Sequence, residues 1–136
     1  MDEKDIRWKQ RAQNFEKAFL RLREAMEMDE LNELERNGMI QRFEFSIDLA
    51  WKVMKDYMEH KGFVFKPSPK DTFRYAQQSG LINYAQELID ALDIRNELSH
   101  DYSGDKFESA ELQLREESYP ALGKLYRFFV SESGRK

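Results

Sequence analysis

Residues 2–28 read DEKDIRWKQRAQNFEKAFLRLREAMEM. Trp8, Ala12, Phe15, Phe19, Leu22 and Met26 recur there at spacings that alternate four and three, with charged residues between them. That is the period of one face of an α-helix, and neither Gly nor Pro interrupts it. An apolar stripe of this length must be covered by other helices, so this segment sets the fold class as a helical bundle.

The remaining chain repeats the pattern. Asn37-Gly38 is a break signal, which would leave Leu31 to Glu35 as a separate short turn. Beyond it Phe43, Ile47, Ala50, Met54 and Tyr57 repeat at helical spacing, widened by Phe45, Leu49 and Met58. A helix over about 39–60 follows, with two apolar flanks for two neighbours and a stop at Gly62. Phe63 to Lys66 is a short apolar connector. Ser68-Pro69 reads as an N-cap followed by proline in the first turn, opening a short helix that Gly80 closes. Asn83 is expected to cap the next helix, with Ala85, Leu88, Ile89, Leu92 and Asn96 on its inner side and its end near His100. Ser103-Gly104-Asp105 makes a turn. A last helix to about Ser131 offers Phe107, Leu112, Leu114, Leu122, Leu125 and Phe129 to the core, and Pro120 should kink or split it. No repeat, low-complexity tract or strand alternation is visible. The expected fold is all-α, an antiparallel up-and-down four-helix bundle with one or two additional short helices, residues 1–136 forming a single domain.

Composition narrows the function classes. Cysteine is absent, which removes disulfides and thiolate zinc sites and fits a reducing, cytoplasmic setting. Five of the first eight residues are charged and the apolar runs are short, so neither a secretory signal nor a membrane span is expected. Charged residues make up 35% of the chain, yet the net charge is only −4. Such interspersed charge describes solvated helix faces, and no basic block marks a large nucleic-acid groove. Any nucleic-acid contact must be local, or made by an assembly.

Two histidines make the search for a site short. His60 falls at a helix C-terminus, where the helix dipole alone favours it. His100 differs, because Arg95 lies five residues before it, Asn96 one turn before it and Tyr102 two residues after it. This stretch supplies a titratable base, a fixed cation, an amide to orient the base and a phenol. Those parts suit metal-free RNA cleavage, with histidine moving the proton of the ribose 2′-oxygen and arginine stabilising charge on the phosphate. The competing reading pairs Arg95 with Asp48 or another acid of a neighbouring helix, while His100 caps its own helix. The bare Arg–His spacing is a weak signal; the added Asn96 and Tyr102 sharpen it. Asp93, Glu97 and Asp101 also lie one turn apart, which reads as a solvated acidic face, and no metal or cofactor is expected.

The segment Arg95-Asn96-x-x-x-His100-x-Tyr102 resembles the R-x4-6-H motif of the HEPN superfamily, in the form with a trailing tyrosine. The wider chain resembles the branch known as nucleotidyltransferase substrate-binding proteins, through residues 41–52 (QRFEFSIDLAWK) and Tyr119-Pro120-Ala121-Leu122. The resemblance implies a helical bundle that forms a homodimer, with two motif copies facing one another across a cleft. It implies a separate minimal nucleotidyltransferase as partner, acting as antitoxin by transferring AMP to the motif tyrosine of a metal-independent ribonuclease toxin. Carried over, Arg95 and His100 are the catalytic pair, Asn96 supports them and Tyr102 is the AMP acceptor. A second role attached to this branch is that of a subunit binding nucleotide or substrate for the transferase, without cleavage. Asp90, Asp93, Glu97, Asp101 and Asp105 surround the motif with a field that opposes a phosphate backbone. The residues therefore leave three readings open: endoribonuclease, non-catalytic nucleotide-binding module, and interaction bundle in which the Trp8-to-Met26 stripe of the first helix makes a dimer. Phe43, Phe45 and Trp51 are open to either core or interface.

Overall fold

The apolar stripe of the first segment lies on α1 (Glu3–Met26). The structure, a computed structural model, describes residues 2–100 and 104–134, with the side chains at 100 and 104–106 outside that description. Asp2 caps α1 by accepting the Lys4 N–H at 3.1 Å, and Glu3 and Asp5 in the first turn complement the helix dipole. Trp8, Ala12, Phe15, Phe19 and Leu22 are buried, as their spacing demands.

Helix α2 (Glu33–His60) corrects the expected break at Asn37-Gly38, which it passes straight through. Its start is fixed upstream by a capping box: the Asn32 side chain accepts the Glu35 N–H, and the Glu35 carboxylate accepts the Asn32 N–H. Glycine in a helix costs about 1 kcal/mol relative to alanine. Burial of Met39, Ile40 and Phe43 just beyond outweighs that. The helix stops at Gly62, whose φ of 85° lies in the left-handed region.

Helix α3 (Pro69–Gln78) begins with proline in its first turn. Ser68, expected to cap its backbone, instead donates its hydroxyl to Asp71 Oδ2 at 2.8 Å. Helix α4 (Ala85–His100) ends where the sequence placed it. Asn83 does not cap it: the Ala85 N–H donates to Gln77 Oε1 of α3 at 2.9 Å, a cap from a neighbouring helix.

The last column is α5 (Gly104–Gln113), a π-helical stretch at Leu114–Ser118, and α6 (Tyr119–Glu132). Gly104, expected in a turn, is therefore helical; Ser103 lies outside the described residues. Pro120 does disturb this column, by a particular route. It has no N–H to donate into the preceding turn, and the Tyr119 N–H reaches back five residues to the Leu114 carbonyl. The buried positions follow that wider turn: Ala110, Leu114, Ser118 and Leu122 lie four apart. Leu112, assigned to the core from sequence, is 56% exposed. Two residues apart on a helix face nearly opposite ways, so Leu112 and Leu114 cannot both point inward.

Cross-helix contacts set the directions. Trp8 packs edge-on against Tyr57 at 4.9 Å, and the Arg42 guanidinium donates to the Arg21 carbonyl at 2.7 Å, so α1 and α2 are antiparallel. Phe129 meets Trp8, and Tyr119 stacks on Phe19 at 5.6 Å, so α6 runs against α1. With α4 packed on α2 and on the last column, the long helices form an up-and-down bundle and α3 lies across α2 and α4. No described residue is in a strand. Among the described residues no helix is long and apolar enough to cross a membrane.

Candidate functional site in the α2–α3–α4 cleft

Asp48 and Trp51 are three residues apart on α2 and so share a face. Leu92, Arg95 and Asn96 do the same on α4. Where α3 begins between them, the three elements enclose a cleft of about 550 Å³ lined by these residues and by Ser68, Pro69, Lys70, Asp71 and Arg74.

Arg95 donates through one terminal nitrogen to Asp48 Oδ2 at 2.9 Å, with both side chains about one-third exposed. Of the two sequence readings of Arg95, the pairing with Asp48 is thus present, and Arg95 still lines the cleft. A guanidinium has five N–H donors, so one carboxylate oxygen leaves most of them unspent. The buried Nε of Arg95 finds no acceptor among the described residues. Asn96, next in the chain, is exposed at the rim.

The α3 wall carries charge in pairs. Lys70 Nζ lies 2.7 Å from Asp93 of α4, and an Arg74 terminal nitrogen lies 3.1 Å from Asp71. The Ser68 hydroxyl holds the Asp71 carboxyl below the usual carboxylate range, with Arg74 and Lys66 adding to this and burial opposing it. Asp71 is therefore an anion throughout the neutral range. Asp93 of the acidic field around the motif is engaged by Lys70, and Asp90 accepts the Gln86 amide at 2.9 Å.

The structure brings Arg95 and Asn96 together with Asp48 and Trp51. His100 closes α4 as its last residue; its side chain, and Tyr102 entirely, lie outside the described residues. The aromatic residues of the 41–52 segment divide. Phe43 is fully buried, Phe45 is 57% exposed, and Trp51 is half-buried in the cleft wall. His60 sits at the end of α2 with Nδ1 3.5 Å from Asp2 and Nε2 3.3 Å from Asp5, holding the start of α1. Lys70 and Arg74 escaped the sequence reading. They are some 20 to 25 residues before the motif, and their one-turn spacing looks like any solvated helix face.

This geometry offers guanidinium and ammonium donors, an indole and an open mouth. Such a cleft suits an anion attached to a planar ring.

A comparison with curated proteins gives no match. Among solved structures, a protein of Thermus thermophilus is 27% identical, with a TM-score of 0.71 over 87% of this chain and 97% of its own. A tri-AMPylated HEPN toxin of Shewanella oneidensis, solved in complex with its MNT antitoxin, is 12% identical with a TM-score of 0.68. That likeness covers 96% of this chain and 99% of the toxin, and it establishes a shared HEPN fold. The model of the family described as nucleotidyltransferase substrate binding protein like matches residues 10–131, and the chain belongs to that family.

Proposed function

We propose that this protein is the HEPN-type partner of a separate minimal nucleotidyltransferase in a toxin–antitoxin pair, and that it acts as a homodimer. In this reading Arg95, Asn96 and His100 form a metal-independent ribonuclease site, and Tyr102 accepts AMP from the transferase. The observation that carries it is the position of Arg95 and Asn96 in the wall of an open cleft, in a chain of this family.

The chemistry asked of these residues is limited. His100 removes the ribose 2′-proton as that oxygen attacks the adjacent phosphorus, and a proton is returned to the departing 5′-oxygen. Arg95, held by one edge on Asp48, turns its remaining donors to the charge on the phosphate. AMP on Tyr102 adds bulk and negative charge beside the same residues, which excludes RNA.

Intact mass of the protein expressed alone and with its transferase, with peptide mapping around Tyr102, is the direct test. Added AMP units at Tyr102 are expected only with the transferase, together with loss of RNA cleavage. The His100→Ala chain should cleave nothing while keeping its helical circular dichroism. Cleavage that survives this change would sink the catalytic assignment. Co-purification with the transferase and no modification at Tyr102 would point to the second reading, a subunit that binds nucleotide without turnover. The engagement of Lys70, Arg74 and Arg95 by carboxylates in the cleft is what favours that alternative.

A further inference from the structure

The α3 wall lies outside the motif, and the proposed cleavage uses none of its residues. We infer that Trp51, Lys70 and Arg74 form a nucleoside-monophosphate subsite beside Arg95, with Trp51 as the platform for the base and the two cations as the phosphate clamp. The inference rests on the proposed function for its place next to a nucleotide-handling motif, but it makes a separate claim about separate residues.

Size and shape come first. A volume of about 550 Å³ is that of a small-ligand site, which typically spans about 300–1,000 Å³. One wall is an indole, half-buried and packed on the core, so it is held rather than free to rotate. Base stacking on an aromatic ring tolerates any base, because every base has a π-face.

Charge supports the same ligand. Lys70 and Arg74 project from α3 with side chains 42% and 53% exposed, each tied at one point to a carboxylate. Pairs this exposed are weak and can open at little cost. A phosphate entering the cleft meets two exposed cations that can leave Asp93 and Asp71, and one anchored cation whose buried Nε finds no acceptor among the described residues. Asp48 and Asp71 keep the empty cleft near neutral, so a bare anion gains little, whereas a base with its phosphate gains both contacts. The unit recognised is a nucleoside monophosphate, whether free or as one residue of single-stranded RNA.

The test uses the full-length His100→Ala chain, to prevent cleavage, with AMP and hexaadenylate as probes. The two tryptophans are Trp8, buried in the core, and Trp51, so ligand quenching of tryptophan fluorescence reports on Trp51. Adding Lys70→Ala and Arg74→Ala together should weaken hexaadenylate binding about tenfold or more, and lower the salt slope by about one to two. Trp51→Ala, followed by titration calorimetry because the reporting indole is gone, should lose at least about tenfold, with Trp51→Phe restoring most of it. Lys17→Ala with Arg21→Ala, which removes the same charge from the α1–α2 groove, should leave binding unchanged. AMP alone binding comparably would identify a free-nucleotide site, and a large preference for hexaadenylate would identify RNA; either supports the subsite. Failure of both probes to bind would overturn it, as would full binding with an unchanged salt slope in the Lys70→Ala, Arg74→Ala chain. Loss of binding in that chain, with no RNA cleavage by the unaltered protein, would keep the subsite and remove the ribonuclease. Unchanged binding there, with cleavage abolished by His100→Ala, would do the reverse.

Discussion

Arg95 is bound to Asp48 and still faces a cleft, and the two facts are compatible because one carboxylate oxygen occupies one of its donors. A pair about one-third exposed contributes at most about 1 kcal/mol to stability, so its effect is mainly to fix where the guanidinium points. Asp56 shows the contrasting case. It is 2% exposed and faces Arg11 Nε at 3.1 Å and Lys55 at 3.6 Å, an ion pair without aligned hydrogen bonds, and it ties α1 to α2. Buried phenols give this protein a pH signature at the residue scale. Burial pushes the Tyr84 phenol up to about 12, with Arg127 opposing. Burial, and then its hydrogen bond to Glu132, also raises Tyr57. A folded-state pKa above the unfolded value means that the stabilisation is complete below about pH 10. It is then lost as the unfolded chain ionises and pH rises towards 12. Urea midpoints measured between those limits should fall steadily, and less steeply in Tyr84→Phe. The same slope in both chains would refute the account for Tyr84.

At the scale of elements, the helix that carries the motif depends on its neighbour for its start. Gln77 of α3 supplies the cap that α4 lacks in its own sequence. Gln77→Ala should cost about 1 kcal/mol in chemical denaturation, the usual value of a lost cap. It should also increase hydrogen exchange at the first turn of α4 more than at α1. Equal protection in both chains would mean that the bond carries no weight. The π-helical stretch before Pro120 is a second dependence, since it rotates the following residues so that Leu122, Leu125 and Phe129 return to the core.

Across the whole molecule, aromatic rings join three of the long helices. Phe129 of α6 contacts Trp8 and Phe15 of α1 and Tyr57 of α2, with ring centres 5.7–6.3 Å apart. This cluster lies near the end of α2, with Tyr57 six residues beyond Trp51 and nine beyond Asp48, and none of its rings lines the cleft. Phe129→Ala should therefore destabilise the bundle by about 3–5 kcal/mol, as deletion of a buried aromatic does. A thermal melt would show this as a large drop in midpoint, while nucleotide affinity measured well below that midpoint stays within about twofold. Weakened binding at full helicity would mean that the cleft and this cluster are coupled.

The sequence by itself determined the helical fold class, the long first helix and its buried stripe, the stops at Gly62 and Gly80, and the end of α4 at His100. Those features follow from periodicity and backbone restriction, which are local. It also placed Arg95 five residues and Asn96 one turn before His100, and it offered Asp48 as a partner for Arg95. Only the tertiary structure decided that α2 continues through Asn37-Gly38, because burial of the residues beyond outweighs a local break. The same holds for Gln77 replacing Asn83 as a cap, and for Leu112 turning outward. The joining of Lys70 and Arg74 with Trp51 and Arg95 was beyond the reach of sequence as well. Residues distant in the chain meet only once three helices have packed, and no local spacing records that meeting.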